Sequence, residues 1–256
     1  MKLQRHYVEK PWGRTGLPAM FDAPAGKRIG EVWFETSGEK PLLVKYLFTS
    51  ERLSIQVHPN DTQAHERGLK RGKSECWYIL EAEPGATLGL GLKREMPKDD
   101  LRSAALDGSI EDLMDWRTVR AGDFFMVPPG TIHAIGGGIS LLEFQQNSDV
   151  TYRLYDYGRE RELHLDDAIA VARAEPYPQS FARHLSPDAQ SSLVEGPQFV
   201  LRATIKDAFS DRERWVIPLK GIVRTEDESA GEGDCLLLQP NEPILSSARM
   251  LIGASL

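Results

Sequence analysis

Short runs of apolar or alternating residues recur along this chain, and glycine, proline and aspartate separate them. Runs of this kind with turn residues between them are typical of β-strands. The predicted strands cover residues 32–36, 42–48, 53–58, 76–80, 124–127, 139–145 and 151–155. Their spacing predicts a mainly β protein, built as a sandwich or a barrel.

Helical spacing of apolar residues interrupts this pattern in two places. Between Pro97 and Trp116 it predicts one or two short helices, which break near Asp107 and Gly108. Residues 165–174 are predicted to form another helix. A polar segment then leads to a final set of strands, which we expect to begin near Phe199.

The predicted strand at 53–58 has two chemically different faces. Because side chains alternate along a strand, Leu53, Ile55 and Val57 point one way, while Gln56 and His58 point the other. The apolar face suits a core. The second face carries an amide and an imidazole, and is a candidate metal site.

Two other segments offer compatible ligands. Glu75 opens the apolar run 76–80, and His133 follows the turn at Pro129 and Gly130. A borderline metal such as zinc accepts imidazole nitrogen and carboxylate oxygen together, and Gln56 would add a less usual amide oxygen. A single carboxylate leaves the site positive, which favours catalysis over a closed structural site. The alternative is that these residues are ordinary histidines, a hydrogen-bonding Gln56 and a solvated Glu75.

Net charge and hydropathy exclude some classes of protein. The net charge of −7 argues against a nucleic-acid-binding protein, which needs a basic surface, but it allows a small phosphorylated substrate held by a local basic cluster. No apolar run is long enough to cross a membrane, and the polar start of the chain does not look like a secretory signal. We therefore expect a cytoplasmic enzyme.

Several ordered segments between residues 10 and 153 resemble one known family. They are Lys10-Pro11-Trp12-Gly13, Gly30-Glu31-Val32-Trp33, the stretch 53–61, Lys73-Ser74-Glu75, the stretch 129–134 and the stretch 143–153. Together they are similar to class I mannose-6-phosphate isomerases.

This resemblance implies a fold and a cofactor. The fold would be a mainly β double cupin, made of two jelly-roll barrels with a short helical insertion. The domains would be a catalytic cupin at 1–95 and 119–160, a helical insertion at 96–118, a helix and linker at 161–196, and a β-rich cupin-like domain at 197–256. The cofactor would be one zinc ion per chain, or another divalent metal, bound by Gln56, His58, Glu75 and His133. The protein would be a monomer or a homodimer.

The resemblance also implies a reaction, the interconversion of mannose 6-phosphate and fructose 6-phosphate through a cis-enediol(ate). Lys73, Glu143, Asp149 and Arg153 match positions of the family's active-site pocket. From the residues alone, a structural ion pair between Glu143 and Arg153 across a hairpin is an equally good interpretation. Many family members have a histidine where this chain has Gly72, so a mechanism that uses that histidine as a base does not carry over.

Two other functions compete with isomerisation. One is a non-catalytic cupin that binds a sugar phosphate, favoured by Gly72 and by the short chain. The other is a different metal-dependent cupin enzyme, such as an oxygenase, although oxygenases usually bind iron with two histidines and one carboxylate and do not need Gln56.

Overall fold

Antiparallel strands make up most of the regular structure, as the alternating runs predict. The computed structural model describes the whole chain, from Met1 to Leu256. In chain order, the strands are β1 (Gln4–Arg14), β2 (Ile29–Glu35), β3 (Leu42–Phe48), β4 (Ile55–Val57), β5 (Glu75–Ala82), β6 (Thr87–Leu92), β7 (Met114–Thr118), β8 (Asp123–Val127), β9 (His133–Ile135), β10 (Ile139–Gln146), β11 (Tyr152–Tyr155), β12 (Ala182–His184), β13 (Ser191–Glu195), β14 (Phe199–Thr204), β15 (Arg214–Lys220), β16 (Val223–Arg224), β17 (Ser229–Ala230), β18 (Leu236–Leu238) and β19 (Arg249–Ser255).

Helices connect several of these strands, and all but the first lie where the sequence predicts them. They are α1 (Asp61–His65), α2 (Lys98–Asp107), α3 (Ile110–Leu113) and α4 (Leu165–Val171), with short 3-10 turns at Ala19–Phe21 and Gln179–Phe181. The break between α2 and α3 falls at Gly108, which adopts a left-handed conformation with φ of 85°. None of the helices is both long and apolar enough to span a bilayer.

Two facing sheets form the first barrel. The seven-stranded sheet has the order β1-β2-β3-β10-β5-β8-β12, and the five-stranded sheet has the order β11-β4-β9-β6-β7. One core fills the space between them, with Trp77 and Leu141 from the first sheet and Leu88 and Ile135 from the second. The predicted cupin fold is confirmed.

A third sheet packs on the outer face of the seven-stranded sheet. Its strand order is β13-β14-β19-β15-β18, and β16 and β17 form a separate hairpin. The largest apolar cluster joins Val44 and Phe144 of the first barrel to Phe199 and Leu201 of this sheet. The rings of Phe144 and Phe199 meet edge to face, with their centroids 5.1 Å apart. The C-terminal region is therefore a β-rich unit that covers the outer face of the seven-stranded sheet of the first barrel.

Several predicted boundaries differ from the structure, and three of these differences have a visible cause or consequence. The strand at 53–58 keeps only Ile55–Val57, and the helix at 165–174 ends at Val171, because Ala172 is already extended with ψ of 138°. The final set of strands begins at Ser191 rather than near Phe199, since Leu193 and Val194 are buried in the core. The domain boundaries at residues 96, 119, 161 and 197 stay predictions.

Candidate metal centre

Three polar side chains that lie far apart in sequence meet inside the first barrel. His58 directly follows β4, Glu75 is the first residue of β5, and His133 is the first residue of β9. All three are buried, with at most 2% of each residue exposed. One ligand atom from each lies within 4.8 Å of the others. The structure therefore brings together three of the four predicted ligands.

Local backbone geometry positions the three segments. Pro59 keeps His58 extended, because the residue before proline avoids the helical region. Gly130 adopts φ of 84° in the turn before His133, a conformation that a side chain would strain. The amide of Gly130 donates to the carbonyl of His58 at 2.8 Å, and the amide of Lys73 donates to the carbonyl of Pro59 at 3.0 Å. These bonds fix the segments relative to one another.

The spacing of the donor atoms fits a tetrahedral ion. Ligands bound to zinc at about 2.0–2.1 Å lie roughly 3.4 Å apart along a tetrahedron edge. His133 Nε2 and Glu75 Oε1 are 3.4 Å apart, and His58 Nε2 and Glu75 Oε2 are 3.6 Å apart. The two distances end on different oxygens of Glu75, and the three ligand atoms lie within 4.8 Å of one another, so small side-chain movements would close the cluster around an ion.

Both histidines are held in the form that binds metals. His133 Nδ1 donates to the carbonyl of Thr131 at 2.9 Å, which leaves Nε2 free as an acceptor. Burial lowers the pKa of His133 to about 4 and that of His58 well below its ordinary value. His58 Nε2 is buried and has no hydrogen-bond partner. An orphaned, neutral imidazole nitrogen is what a metal ion would use.

Gln56 lies beside this cluster. It pairs with His133 across the sheet, and its Nε2 is 3.2 Å from His133 Nε2. Its Oε1 accepts a hydrogen bond from the Ser54 hydroxyl at 3.1 Å. Rotation of the amide by 180° exchanges the oxygen and the nitrogen, and would place the oxygen next to His133. Gln56 is thus adjacent to the three-residue cluster.

Lys73 and Glu75 form a buried ion pair, with Lys73 Nζ 2.9 Å from Glu75 Oε2. Burial raises the pKa of Glu75 to about 7, against the opposing attraction of Lys73. Burial alone would lower the pKa of Lys73, but Glu143 and Glu75 outweigh it and raise this pKa above its ordinary value. Lys73 is therefore held protonated, and the lowered pKa that a role as base would require is not found.

Glu143 is the centre of a buried charge network. Its carboxylate accepts a hydrogen bond from Trp77 Nε1 at 3.1 Å, and lies 3.5 Å from Lys45 Nζ and 3.9 Å from Lys73 Nζ. Burial would raise the pKa of Glu143, but Lys73, Lys45 and the bond from Trp77 outweigh burial and lower it. Glu143 is thus an ionised carboxylate inside the barrel, close to the ion pair that adjoins the metal ligands.

Sequence reasoning missed Lys45. This residue lies in the middle of β3, a strand that is buried along its whole length, and its ammonium group sits 4.4 Å from the centre of the Trp33 ring. Burial lowers its pKa, although Glu143 opposes this shift. A lysine inside an otherwise apolar strand is rare unless it is paired. The position of Lys45 within the apolar run 42–48 could therefore have identified it as a candidate for a buried ion pair.

Arg153 is aligned with the metal ligands. It pairs with Gln56, which in turn pairs with His133, so the three side chains leave their strands on the same face. Its guanidinium group makes no ion pair, and the buried Nε has no hydrogen-bond partner. Burial and the nearby Arg161 lower its pKa. Arg153 is a cation without a protein partner.

The alternative interpretation, an ion pair between Glu143 and Arg153 across a hairpin, does not hold in the structure. Glu143 lies on β10 in the seven-stranded sheet, whereas Arg153 lies on β11 in the five-stranded sheet. The two strands do not form a hairpin, because the turn after β10 carries the chain across to the opposite sheet. Glu143 instead pairs with Lys45 and Lys73.

Other predicted residues lie outside the cluster. Asp149 is exposed between β10 and β11, and its carboxylate makes no hydrogen bond or ion pair. Lys70 and Arg71 are the two basic residues before Gly72, and a loop with two such residues could bind a phosphate or be an ordinary solvated loop. Both pair with Glu39. This is the solvated-loop arrangement expected of ordinary surface residues.

Gly72 lies where many class I mannose-6-phosphate isomerases have a histidine. A Cβ atom at this position would lie 2.4 Å from the carbonyl oxygen of Pro59 and 2.5 Å from the carbonyl carbon of Asn60. The amide of Gly72 also donates to the carboxylate of Asp61 at 2.8 Å. The backbone packs so closely here that no side chain fits, so the departure from the family is built into the fold.

Comparison with known proteins agrees with this geometry. The chain is 45% identical over 152 residues to mannose-6-phosphate isomerase ManA of Bacillus subtilis, a match covering 56% of this chain and 48% of that protein. It is 45% identical over 137 residues to mannose-6-phosphate isomerase of Streptococcus mutans, covering 51% of this chain and 43% of that protein. Over these regions the chain is similar to mannose-6-phosphate isomerases. These matches span about half the length of the curated relatives, and no family model matches.

Solved structures extend the likeness over the whole fold. The crystal structure of mannose 6-phosphate isomerase from Bacillus subtilis superposes with a TM-score of 0.82 at 26% identity, covering 99% of this chain and 98% of that one. A mannose 6-phosphate isomerase bound with zinc and yttrium superposes with a TM-score of 0.73 at 15% identity, covering 99% and 98%. At that lower identity the likeness shows the fold alone.

Proposed function

We propose that this protein is a metal-dependent aldose–ketose isomerase that interconverts mannose 6-phosphate and fructose 6-phosphate. The observation that carries the proposal is the buried His58, Glu75 and His133 cluster, whose ligand atoms lie within 4.8 Å of one another, with an unpartnered Arg153 on the same face. The 45% identity to mannose-6-phosphate isomerases supports the choice of substrate.

The metal of this proposal is one zinc ion per chain. His58, Glu75 and His133 would hold it, with the Gln56 amide oxygen as fourth ligand. The neutral imidazoles, the orphaned His58 Nε2 and the zinc-bound structural neighbour support this choice. When bound, a zinc ion supplies a Lewis acid that polarises a substrate oxygen.

Proton transfer needs a group that can take a proton from C2 of the sugar and return it to C1. Glu143 is the proposed carrier, because it is ionised and buried beside the cluster. Lys73 and Lys45 flank it as cations, so they would stabilise the negative charge that develops on the cis-enediolate oxygen. Asp149 is a second candidate on the resemblance alone.

Arg153 is proposed to bind the substrate phosphate or the enediolate oxygen. A guanidinium group offers paired donors that match an anion with two oxygens. Since Arg153 has no carboxylate partner in the protein, its charge is available to a ligand. Gly72 excludes a histidine base at that position, so the proton has to move through other groups.

A direct assay tests the proposal and separates it from the alternatives. Metal content is measured by elemental analysis, and conversion of mannose 6-phosphate is followed by NMR, with glucose 6-phosphate and unphosphorylated mannose as control substrates. Rapid formation of fructose 6-phosphate, lost on chelation and restored by zinc, is the expected result. Tight binding of mannose 6-phosphate without turnover would instead establish the non-catalytic cupin. Absence of both binding and turnover would point to another metal-dependent enzyme.

A further inference from the structure

A cavity lies behind β5, on the side of the strand away from the metal-ligand cluster. It has a volume of about 490 Å³ and lies between the outer face of the seven-stranded sheet and the segment around β13. Ser74 lines it, because its neighbours Lys73 and Glu75 point into the barrel and side chains alternate along the chain. The volume is within the usual range for a small-molecule site.

The lining of this cavity combines an apolar wall with a cationic rim. Phe124 and Leu193 contribute to the wall. Arg173, Arg183 and the carboxylate of Glu195 lie at the rim. Arg173 already pairs with Glu175 at 3.6 Å and donates to the Thr131 hydroxyl at 3.2 Å. Arg183 uses only Nη1 in the protein, donating to the carbonyl of Ser192 at 2.8 Å, so its other donors remain available. These free donors of Arg183, with the second guanidinium group of Arg173 beside them, favour an anion.

One buried polar atom points to a ligand independently of the charges. The hydroxyl of Ser74 is buried and has no hydrogen-bond partner, although the residue is only 1% exposed. Leaving such a group unpaired is costly, and native structures usually satisfy it. A polar group of a molecule in the cavity would satisfy this hydroxyl.

The cavity also touches the chain segments that carry the metal ligands. Asn60 lies two residues after His58, and Ser74 directly precedes Glu75, and both line the cavity. The backbone bonds already described connect these segments to each other. A ligand that shifts this wall would therefore shift the donors of the metal centre.

We propose that this cavity is a regulatory site for a small organic phosphate with a flat apolar body. The apolar wall takes the body, Arg173 and Arg183 bind the phosphate, and Ser74 hydrogen-bonds a polar atom of the ligand. Binding there changes the metal affinity, and by linkage the metal changes the affinity for the ligand by the same factor. This inference does not depend on isomerase activity.

The test uses the full-length protein and phenyl phosphate as the probe, with inorganic phosphate and benzoate as comparisons. Affinity is measured by isothermal titration calorimetry for the unmodified protein, Arg183→Glu and Gln198→Trp, where the added ring fills the cavity. Arg224→Glu is the matched control, because Arg224 is exposed on β16 and does not line the cavity. Thermal unfolding checks that each variant is folded, and zinc affinity is measured with and without the probe.

We expect Arg183→Glu and Gln198→Trp each to weaken binding of phenyl phosphate about tenfold or more, while Arg224→Glu leaves it unchanged. Inorganic phosphate and benzoate should bind more weakly, because each lacks one of the recognised features. Zinc affinity should change with the probe in the unmodified protein and not in Arg183→Glu. Equal binding by all variants would overturn the site, tighter binding of benzoate would overturn the ligand class, and binding without any change in zinc affinity would overturn the regulatory role.

Discussion

Two regions of this molecule bury polar side chains in opposite ways. In the C-terminal sheet, Arg214 is fully buried, yet all of its nitrogens are hydrogen-bonded. It binds both carboxylate oxygens of Asp207, at 3.0 and 2.9 Å, and the carbonyls of Gln239 and Glu242. In the metal centre, His58 is equally buried and its Nε2 has no partner.

This difference separates a structural role from a functional one. A buried charge with every donor satisfied holds its surroundings together and has nothing left for a ligand. A buried donor set that remains unsatisfied destabilises the fold unless something outside the chain completes it. The comparison therefore predicts different consequences for mutations in the two regions.

The largest effect is expected at the metal ligands. His58→Ala, Glu75→Ala or His133→Ala should each lower metal affinity by more than about 100-fold, because even loss of an outer partner of a ligand costs 10–100-fold. Activity should fall with the metal content. His65→Ala, His164→Ala and His184→Ala are the controls, and elemental analysis with the isomerase assay measures both quantities. Full metal occupancy in His133→Ala would show that the site is misassigned.

The matching change in the C-terminal sheet is Arg214→Met. It leaves the carbonyls of Gln239 and Glu242 without their donor, while Asp207 is partly exposed and stays hydrated. We expect a loss of about 1–3 kcal/mol of the free energy of unfolding. Metal content and activity per folded molecule should stay the same. Chemical denaturation gives the stability and elemental analysis gives the occupancy. Loss of metal from folded Arg214→Met protein would contradict the separation of the two regions.

Arg153→Lys should bind metal normally and lose about 100-fold in rate, because lysine keeps the charge but not the planar donors. Since Arg153 does not pair with Glu143, adding Glu143→Gln should give no recovery of stability. Steady-state kinetics and thermal unfolding of the single and double variants measure this. Near-normal kinetics in metal-loaded Arg153→Lys protein would remove Arg153 from the site.

The smallest expected effect is on pH dependence. In the metal-free protein the pKa of Glu75 is raised to about 7, so below this pH a proton occupies the carboxylate that would bind the ion. Metal affinity should therefore weaken about tenfold for each pH unit below 7, and level off above it. Zinc titrations at several pH values test this, with Glu75→Gln as the comparison. A flat profile in the unmodified protein would mean that Glu75 does not release a proton on binding.

Much of this arrangement could be predicted from local sequence. Gln56, His58, Glu75 and His133 all lie in or next to strands whose alternation or turn residues are visible, so their faces follow from periodicity. The helices between residues 97 and 116 follow from apolar spacing in the same way.

Contacts between strands could not be predicted in this way. The pairing of Glu143 with Lys45, and its separation from Arg153, depend on which sheet each strand joins, and short-range pattern does not encode this. The closeness of Gly72 to Pro59 likewise depends on a packing distance between two loops. Lys45 differs from these cases, because a lysine within an apolar strand is visible in the local sequence and could have been recognised there.

The most direct test of the central claim is a zinc titration of metal-free protein while formation of fructose 6-phosphate from mannose 6-phosphate is followed. If the unsatisfied donors of His58, Glu75 and His133 form a catalytic metal site, activity should rise in proportion to bound zinc and stop rising at one ion per chain. Full activity in protein shown to be metal-free would contradict the account. So would the absence of activity in protein that has bound one zinc ion per chain.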